Sequence, residues 1–173
     1  MSWHGLSCLG FNMRVELISK LNDCAAELQK IKKRIDKDKF DEMVMFLQRY
    51  AIIKACGTIE HVIKNMIADH VDANTNPEIQ NYIATNVREN SRNPSTGKIS
   101  GLLSEFSPGT WGPAFEAKLK IHVQEKGALN SLVQLRNDFA HGSNPNTTID
   151  TIIRYFNDSC TIITLAEEAL NGT

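Results

Sequence analysis

Arg136, Asn137, Asp138 and His141 place a cation, an amide, a carboxylate and an imidazole within six residues. A guanidinium is a fixed charge whose planar fork of donors matches phosphate oxygens. An imidazole can take or give a proton near neutral pH. An amide can orient that imidazole or bond an anion. Together these types suit phosphoryl transfer within RNA. There a 2′-hydroxyl loses a proton, a leaving 5′-oxygen gains one, and negative charge grows on the phosphoryl oxygens. The set needs no metal or cofactor. His4, His61, His70 and His122 show no H-E-x-x-H or similar ligand spacing. The plain alternative is a helix end: histidine suits a helix C-terminus, His-Gly is an ordinary stop, and Arg136 would then salt-bridge Asp138 or Glu60.

Spacing sharpens the choice. At roughly 100° per residue, Arg136 and His141 lie about 140° apart on a regular helix and share no face. Asn137 and His141, four apart, do share one. Gly142 is a natural residue for the position after the cap, so the backbone can leave helical geometry at His141. Arg136 and His141 therefore meet either by unwinding of the helix end or by each meeting the same groups of a second protomer. Two copies about a two-fold axis would make a symmetric cleft with two cations and two imidazoles.

The elements that must position this group read as helices. Val15, Ile18, Leu21, Ala25, Leu28 and Ile31 recur at spacings of three and four, giving a helix over about 12–35. Asp36 to Lys39 reads as a turn. A longer helix follows over about 40–71, with a broad apolar stripe from Met43 to Ile67 of the kind a buried bundle helix carries. Gly57 interrupts it, which a close helix crossing would explain. Glu60 lies mid-helix near the core, where a carboxylate wants a partner. Residues 72–77 are turn chemistry, and Pro77 can start a helix to about Val87 with Ile79, Tyr82, Ile83 and Val87 on one face. Residues 91–97 form a polar loop. Two short helical pieces, around Ile99–Phe106 and Phe115–Ile121, flank a break at Ser107–Thr110. The helix carrying the opening group spans about 125–141 and turns Leu129, Leu132, Val133 and Leu135 inward. Thr147 then caps a last helix with Asp150 three residues on. The expected architecture is all-α: an up-and-down bundle of four main helices with short extra helices, in a single domain over residues 1–173 with a flexible segment over 1–11.

At 173 residues the chain is long enough to bury a core unaided, and 42% apolar with 23% charged residues suits a folded soluble protein. The formal net charge of -1 gives no global field toward nucleic acid or membrane. A local basic cluster exists all the same at Lys30, Lys32, Lys33, Arg34, Lys37 and Lys39. Cations at a helix C-terminus are ordinary, but Lys32, Lys33 and Lys37 are also candidate RNA-phosphate contacts. Cys8, Cys24, Cys56 and Cys160 have no C-x-x-C spacing, so buried free thiols in a reducing, cytoplasmic compartment are expected. No signal peptide or membrane span is read.

The Arg136-Asn137-x-x-x-His141 pattern at a helix end resembles the R-x-x-x-x-H signature of HEPN-domain ribonucleases. A long helix with a mid-helix Glu60, then the motif helix, then one closing helix also resembles that family over roughly residues 40–170, and its RiboL-PSP-HEPN group most of all. The resemblance implies a metal-independent endoribonuclease whose site forms where two motif helices meet in a homodimer. Arg136 and His141 would be the catalytic pair, Asn137 an assisting residue, and Glu60 a further carry-over. It also implies RNA as substrate and, since many members serve toxin–antitoxin or phage-defence systems, an antitoxin or other defence partner. Some members bind RNA or protein without cutting, so a non-catalytic helical module is the alternative.

Overall fold

In this computed structural model, residues 13–73, 75–143 and 147–173 are described. Among them the apolar periodicity resolves into seven α-helices and no strand. Four long helices make the frame: α1 (Val15–Lys37), α2 (Met43–Asp72), α6 (Val123–Ala140) and α7 (Ile149–Asn171). Between α2 and α6 lie α3 (Pro77–Ile83), a π-helical turn (Ala84–Arg88), α4 (Thr96–Phe106) and α5 (Trp111–Leu119). The all-α, up-and-down bundle expected from the sequence is the observed architecture.

Cross-helix pairs fix the directions. Lys54 pairs with Glu27 at 2.7 Å, and Arg34 with Asp41, so α2 runs back along α1. Lys32 meets Asp150 at 2.7 Å, which sets the start of α7 beside the end of α1. The Phe139 ring lies 5.2 Å from the Arg49 guanidinium, so α6 descends along α2 and ends near the start of α2. α2 therefore touches α1, α6 and α7. Its buried residues, among them Ile52, Ile59, Val62 and Ile67, are the centre of one core that also takes Leu21 and Leu28 from α1, Leu129 and Leu132 from α6, and Phe156 and Ile163 from α7. Burying such side chains is the main stabilising term, roughly 1.5–3 kcal/mol each.

Several local features differ from the sequence reading. α1 continues to Lys37, so only Asp38 onward forms the turn; there Asp38 and Asp41 carboxylates accept the N–H groups of Phe40 and Met43 at 3.0 and 2.8 Å. α3 stops at Ile83 and widens into the π turn instead of running to Val87. Ile83 and Val87 are buried, while Ile79 and Tyr82 face solvent. α4 begins at Thr96, inside the expected loop, because Asn130 of α6 accepts the Thr96 N–H at 3.0 Å. Ile121 is 82% exposed beyond α5. Leu135 is only half-buried. The cap of α7 is Thr148, not Thr147: its hydroxyl accepts the Thr151 N–H at 3.2 Å. Cys24, Cys56 and Cys160 are free and buried as expected, and burial pushes the last two thiols up to about 11 and about 12. Cys8 and the segment 1–11 lie outside the described residues.

Among the described residues no helix makes the expected close crossing at Gly57. A Cβ added there meets nothing within 4 Å. The close approach is at Gly112, where a Cβ would overlap the Ser104 hydroxyl and lie 3.2 Å from the Ser100 carbonyl oxygen. Gly112 thus lets α5 press against α4. Gly57→Ala should stabilise the folded monomer by about 0.5–1 kcal/mol, the ordinary helix-interior difference. Urea unfolding at low protein concentration checks this.

Candidate active site

The end of α6 is set by its stop signal. Gly142 has φ +83°, the left-handed conformation that glycine adopts without a Cβ penalty. The Gly142 N–H donates to the Phe139 carbonyl at 3.0 Å and the Ser143 N–H to the Asp138 carbonyl at 2.9 Å, which together make a Schellman closure. The His141 N–H still bonds the Asn137 carbonyl at 3.0 Å, and His141 itself has φ -92° and ψ 14°. The helix is therefore regular through Ala140 and does not unwind to bring His141 toward Arg136. His141 stays exposed at the helix tip, while Arg136 and Asn137 are half-buried one turn back.

Arg136 does not carry the salt bridge that the helix-end reading assigned to it. Among the described residues no carboxylate lies within ion-pair distance of its guanidinium. Asp138 instead accepts the Gln134 side-chain amide at 2.6 Å. Glu60 accepts the Arg92 N–H at 2.7 Å and pairs with Lys64 at 3.4 Å. The Arg136 Nη1 donates at 3.3 Å to Asn137 Oδ1. Its charge also acts on Cys56, below it on α2, opposing the upward push that burial exerts on that thiol.

A residue missed from the sequence joins this group. Asn93 Nδ2 donates to Asn137 Oδ1 at 3.1 Å. It sits in the segment 89–95 and within the stretch 91–97, which the sequence marks only as a polar loop. Nothing in its residue type or spacing distinguishes it from neighbouring loop residues.

The three lysines of α1 lie at the same end of the molecule as His141. Lys32 is held between Asp36 at 3.2 Å and Asp150 at 2.7 Å, and these hydrogen bonds, Asp150 first, raise its pKa. Lys33 and Lys37 are exposed.

The family model described as RiboL-PSP-HEPN matches residues 19–172. The chain belongs to the RiboL-PSP-HEPN family. No curated protein and no solved structure matches the chain significantly. Family membership points to a nuclease-like or RNA-related module and is compatible with ribonuclease activity. No helix among the described residues is long and apolar enough to cross a membrane.

The stop at Gly142 has a measurable cost of replacement. Gly142→Ala forces a Cβ into the left-handed region and should lower stability by about 1 kcal/mol. The same denaturation assay reads it, and a neutral result would mean the α6 end is not closed this way.

Proposed function

We propose that this HEPN protein is a metal-independent endoribonuclease acting through Arg136, Asn137 and His141 in a homodimer. The observation that carries the reading is Arg136: a half-buried guanidinium with no carboxylate partner among the described residues, beside an amide and one turn from an exposed imidazole. A half-buried cation without a counter-anion is matched to an anionic ligand.

In this mechanism the 2′-hydroxyl oxygen attacks the adjacent phosphorus and the bond from phosphorus to the 5′-oxygen breaks. One imidazole takes the 2′-hydroxyl proton, and a protonated imidazole gives a proton to the departing 5′-oxygen. The products are a 2′,3′-cyclic phosphate and a 5′-hydroxyl end. Arg136 and the Asn137 amide hydrogens hold the phosphoryl oxygens as charge accumulates on them. Two copies of His141 divide the acid and base roles, since one helix tip offers only one imidazole. Lys33 and Lys37 extend the contact to flanking phosphates, with Lys32 supporting from its position against α7. Glu60 serves the site indirectly.

The second copy has a surface to use. Met43, Phe46, Tyr50 and Ile53 of α2 are 51%, 52%, 46% and 48% exposed. With Gly57 they recur at spacings of three and four and form one solvent-facing apolar stripe. The stripe adjoins the site, because the Arg49 guanidinium lies between the Phe46 and Phe139 rings, 5.7 and 5.2 Å from them. The bare Gly57 permits close approach of another helix. Many members of the family serve toxin–antitoxin or phage-defence systems, and the setting we propose for this chain is such an effector, restrained by an antitoxin or other defence partner. The alternative, a non-catalytic RNA- or protein-binding module, made Arg136 a structural salt-bridge residue, and the partner that role needs is absent among the described residues.

Purified protein should cut single-stranded RNA with EDTA present. His141→Ala and Arg136→Ala should each lose about a hundredfold or more of that rate, the usual worth of an acid–base group or a charge-stabilising donor, with little change in melting temperature. Equal cutting by wild type and His141→Ala sinks the reading. Ile53→Glu, a change at an exposed position, should give monomers in light scattering and a matching loss of cleavage.

A further inference from the structure

The segment 89–95 is tied down at both ends and from two sides. On one side are two α2 residues four apart. Glu60 accepts the Arg92 N–H at 2.7 Å, and Lys64 donates to the Asn90 carbonyl at 2.7 Å. Each meets a backbone group, so the clamp sets where the chain runs whatever side chains it carries. On the other side are two α6 residues seven apart, on one face of that helix. Asn130 accepts the Thr96 N–H at 3.0 Å and donates to the Thr96 hydroxyl at 3.1 Å. Asn137 accepts from Asn93 at 3.1 Å. The segment therefore lies along the α2–α6 seam and ends with Asn93 against the motif residue Asn137.

The direction of these amides follows from donor and acceptor chemistry. A guanidinium can only donate. Arg136 therefore turns the Asn137 oxygen toward itself, 3.3 Å away. The same oxygen then requires a donor from Asn93, so the Asn93 NH2 faces it. The cost is visible: Asn93 Oδ1 is buried and has no donor among the described residues. Rotating the Asn93 amide would not satisfy that oxygen, because it would set it against the Asn137 oxygen, acceptor to acceptor. With its oxygen held by two donors, Asn137 has both amide hydrogens left over, with no acceptor for them among the described residues.

We infer that Asn93 is a positioning residue of the Arg136–Asn137–His141 site: by donating to Asn137 Oδ1 it fixes that amide with its NH2 turned outward, as a donor for a substrate phosphoryl oxygen. Glu60 and Lys64 hold the backbone that presents Asn93. This gives the mid-helix carboxylate an architectural task at the site. The inference rests on the ribonuclease reading only for its consequence in catalysis; the orientation of Asn137 is a property of the folded chain.

The test has an activity arm and an arm that needs no activity. Asn93→Ala removes the donor without adding charge and should lower kcat for RNA cleavage about tenfold, the effect of one oriented hydrogen bond. KM and the melting temperature should stay close to wild type. In an Asn137→Ala background the same change should have no further effect, because Asn93 acts through Asn137. Asn93→Ser, which keeps a donor, should recover part of the rate. A wild-type kcat for Asn93→Ala, or an equal loss in the Asn137→Ala background, overturns the inference. Independently, the Asn137 side-chain NH2 signals in a 15N-labelled sample should shift in Asn93→Ala and in Glu60→Gln. Unmoved signals in both variants overturn it as well. If wild-type protein cuts no RNA, the ribonuclease reading fails while the amide signals still decide the orientation.

Discussion

A helix that stays regular to its last turn cannot bring side chains five positions apart to one point. That constraint governs this molecule's site. The Schellman closure at Gly142 keeps α6 helical through Ala140, so Arg136 and His141 diverge by about 140° around the axis. Asn137 bridges them, sharing a hydrogen bond with Arg136 and a helix face with His141. A single chain thus offers one guanidinium backed by an amide, and one imidazole at the helix tip. The stiffness of the helix end is the reason the proposed mechanism calls on a second copy of the chain.

α2 serves two different environments along its length. One face packs against α1, α6 and α7 and supplies the middle of the core. The other, toward its start, leaves Met43, Phe46, Tyr50 and Ile53 in solvent with Gly57 bare between neighbouring side chains. Farther along, Glu60 and Lys64 turn to the segment 89–95 and satisfy its backbone groups. Buried or half-buried backbone groups outside helices need such partners. The carboxylate at position 60 meets that need while its own charge is balanced by Lys64. The polar groups around α6 are mutually assigned in the same manner, with Asp138 bonded to Gln134, Asn130 to Thr96 and Asn137 to Asn93. Among the described residues these assignments leave Arg136 with the Asn137 amide and no carboxylate.

Much of the fold was legible in the sequence because it depends on periodicity. The apolar spacing of α1, α2, α6 and α7 marks a stripe on each that is largely buried, and that burial is what makes them helices in the folded chain. Val15 on α1 and Met43, Phe46 and Tyr50 on α2, read as part of those stripes, lie exposed instead, because among the described residues no neighbouring helix covers the start of either. The stop at His141-Gly142 was legible for the same local reason, since a left-handed residue after a helix favours glycine. Pro77 likewise announced α3, and the structure adds the Asn76 cap before it. Features set by contacts distant in sequence were not legible. The start of α4 at Thr96 depends on Asn130, thirty-four positions away. The break of α3 into a π turn accompanies ion pairs from Arg88 back to Asp69 and Asp72. The capping threonine of α7 is one residue from the one its pattern suggested, since Thr147 and Thr148 are alike in type and only the backbone path separates them.

The sequence by itself determined the all-α character, the helix that carries Arg136, Asn137 and His141, and the angle between the first and last of these. Each follows from residue type and helix geometry, which act within a few positions. Only the tertiary structure decided which charges are already spoken for. It gave Glu60 to Lys64 and the Arg92 N–H, tied Lys32 to Asp150, left Arg136 without a carboxylate among the described residues, and set Asn93 beside Asn137. Pairing of polar groups depends on where the chain returns in space, and linear spacing does not encode that return. Gly57 and Gly112 make the same point: both interrupt a helix, and only the packing of α4 on α5 shows which one is needed for a close approach.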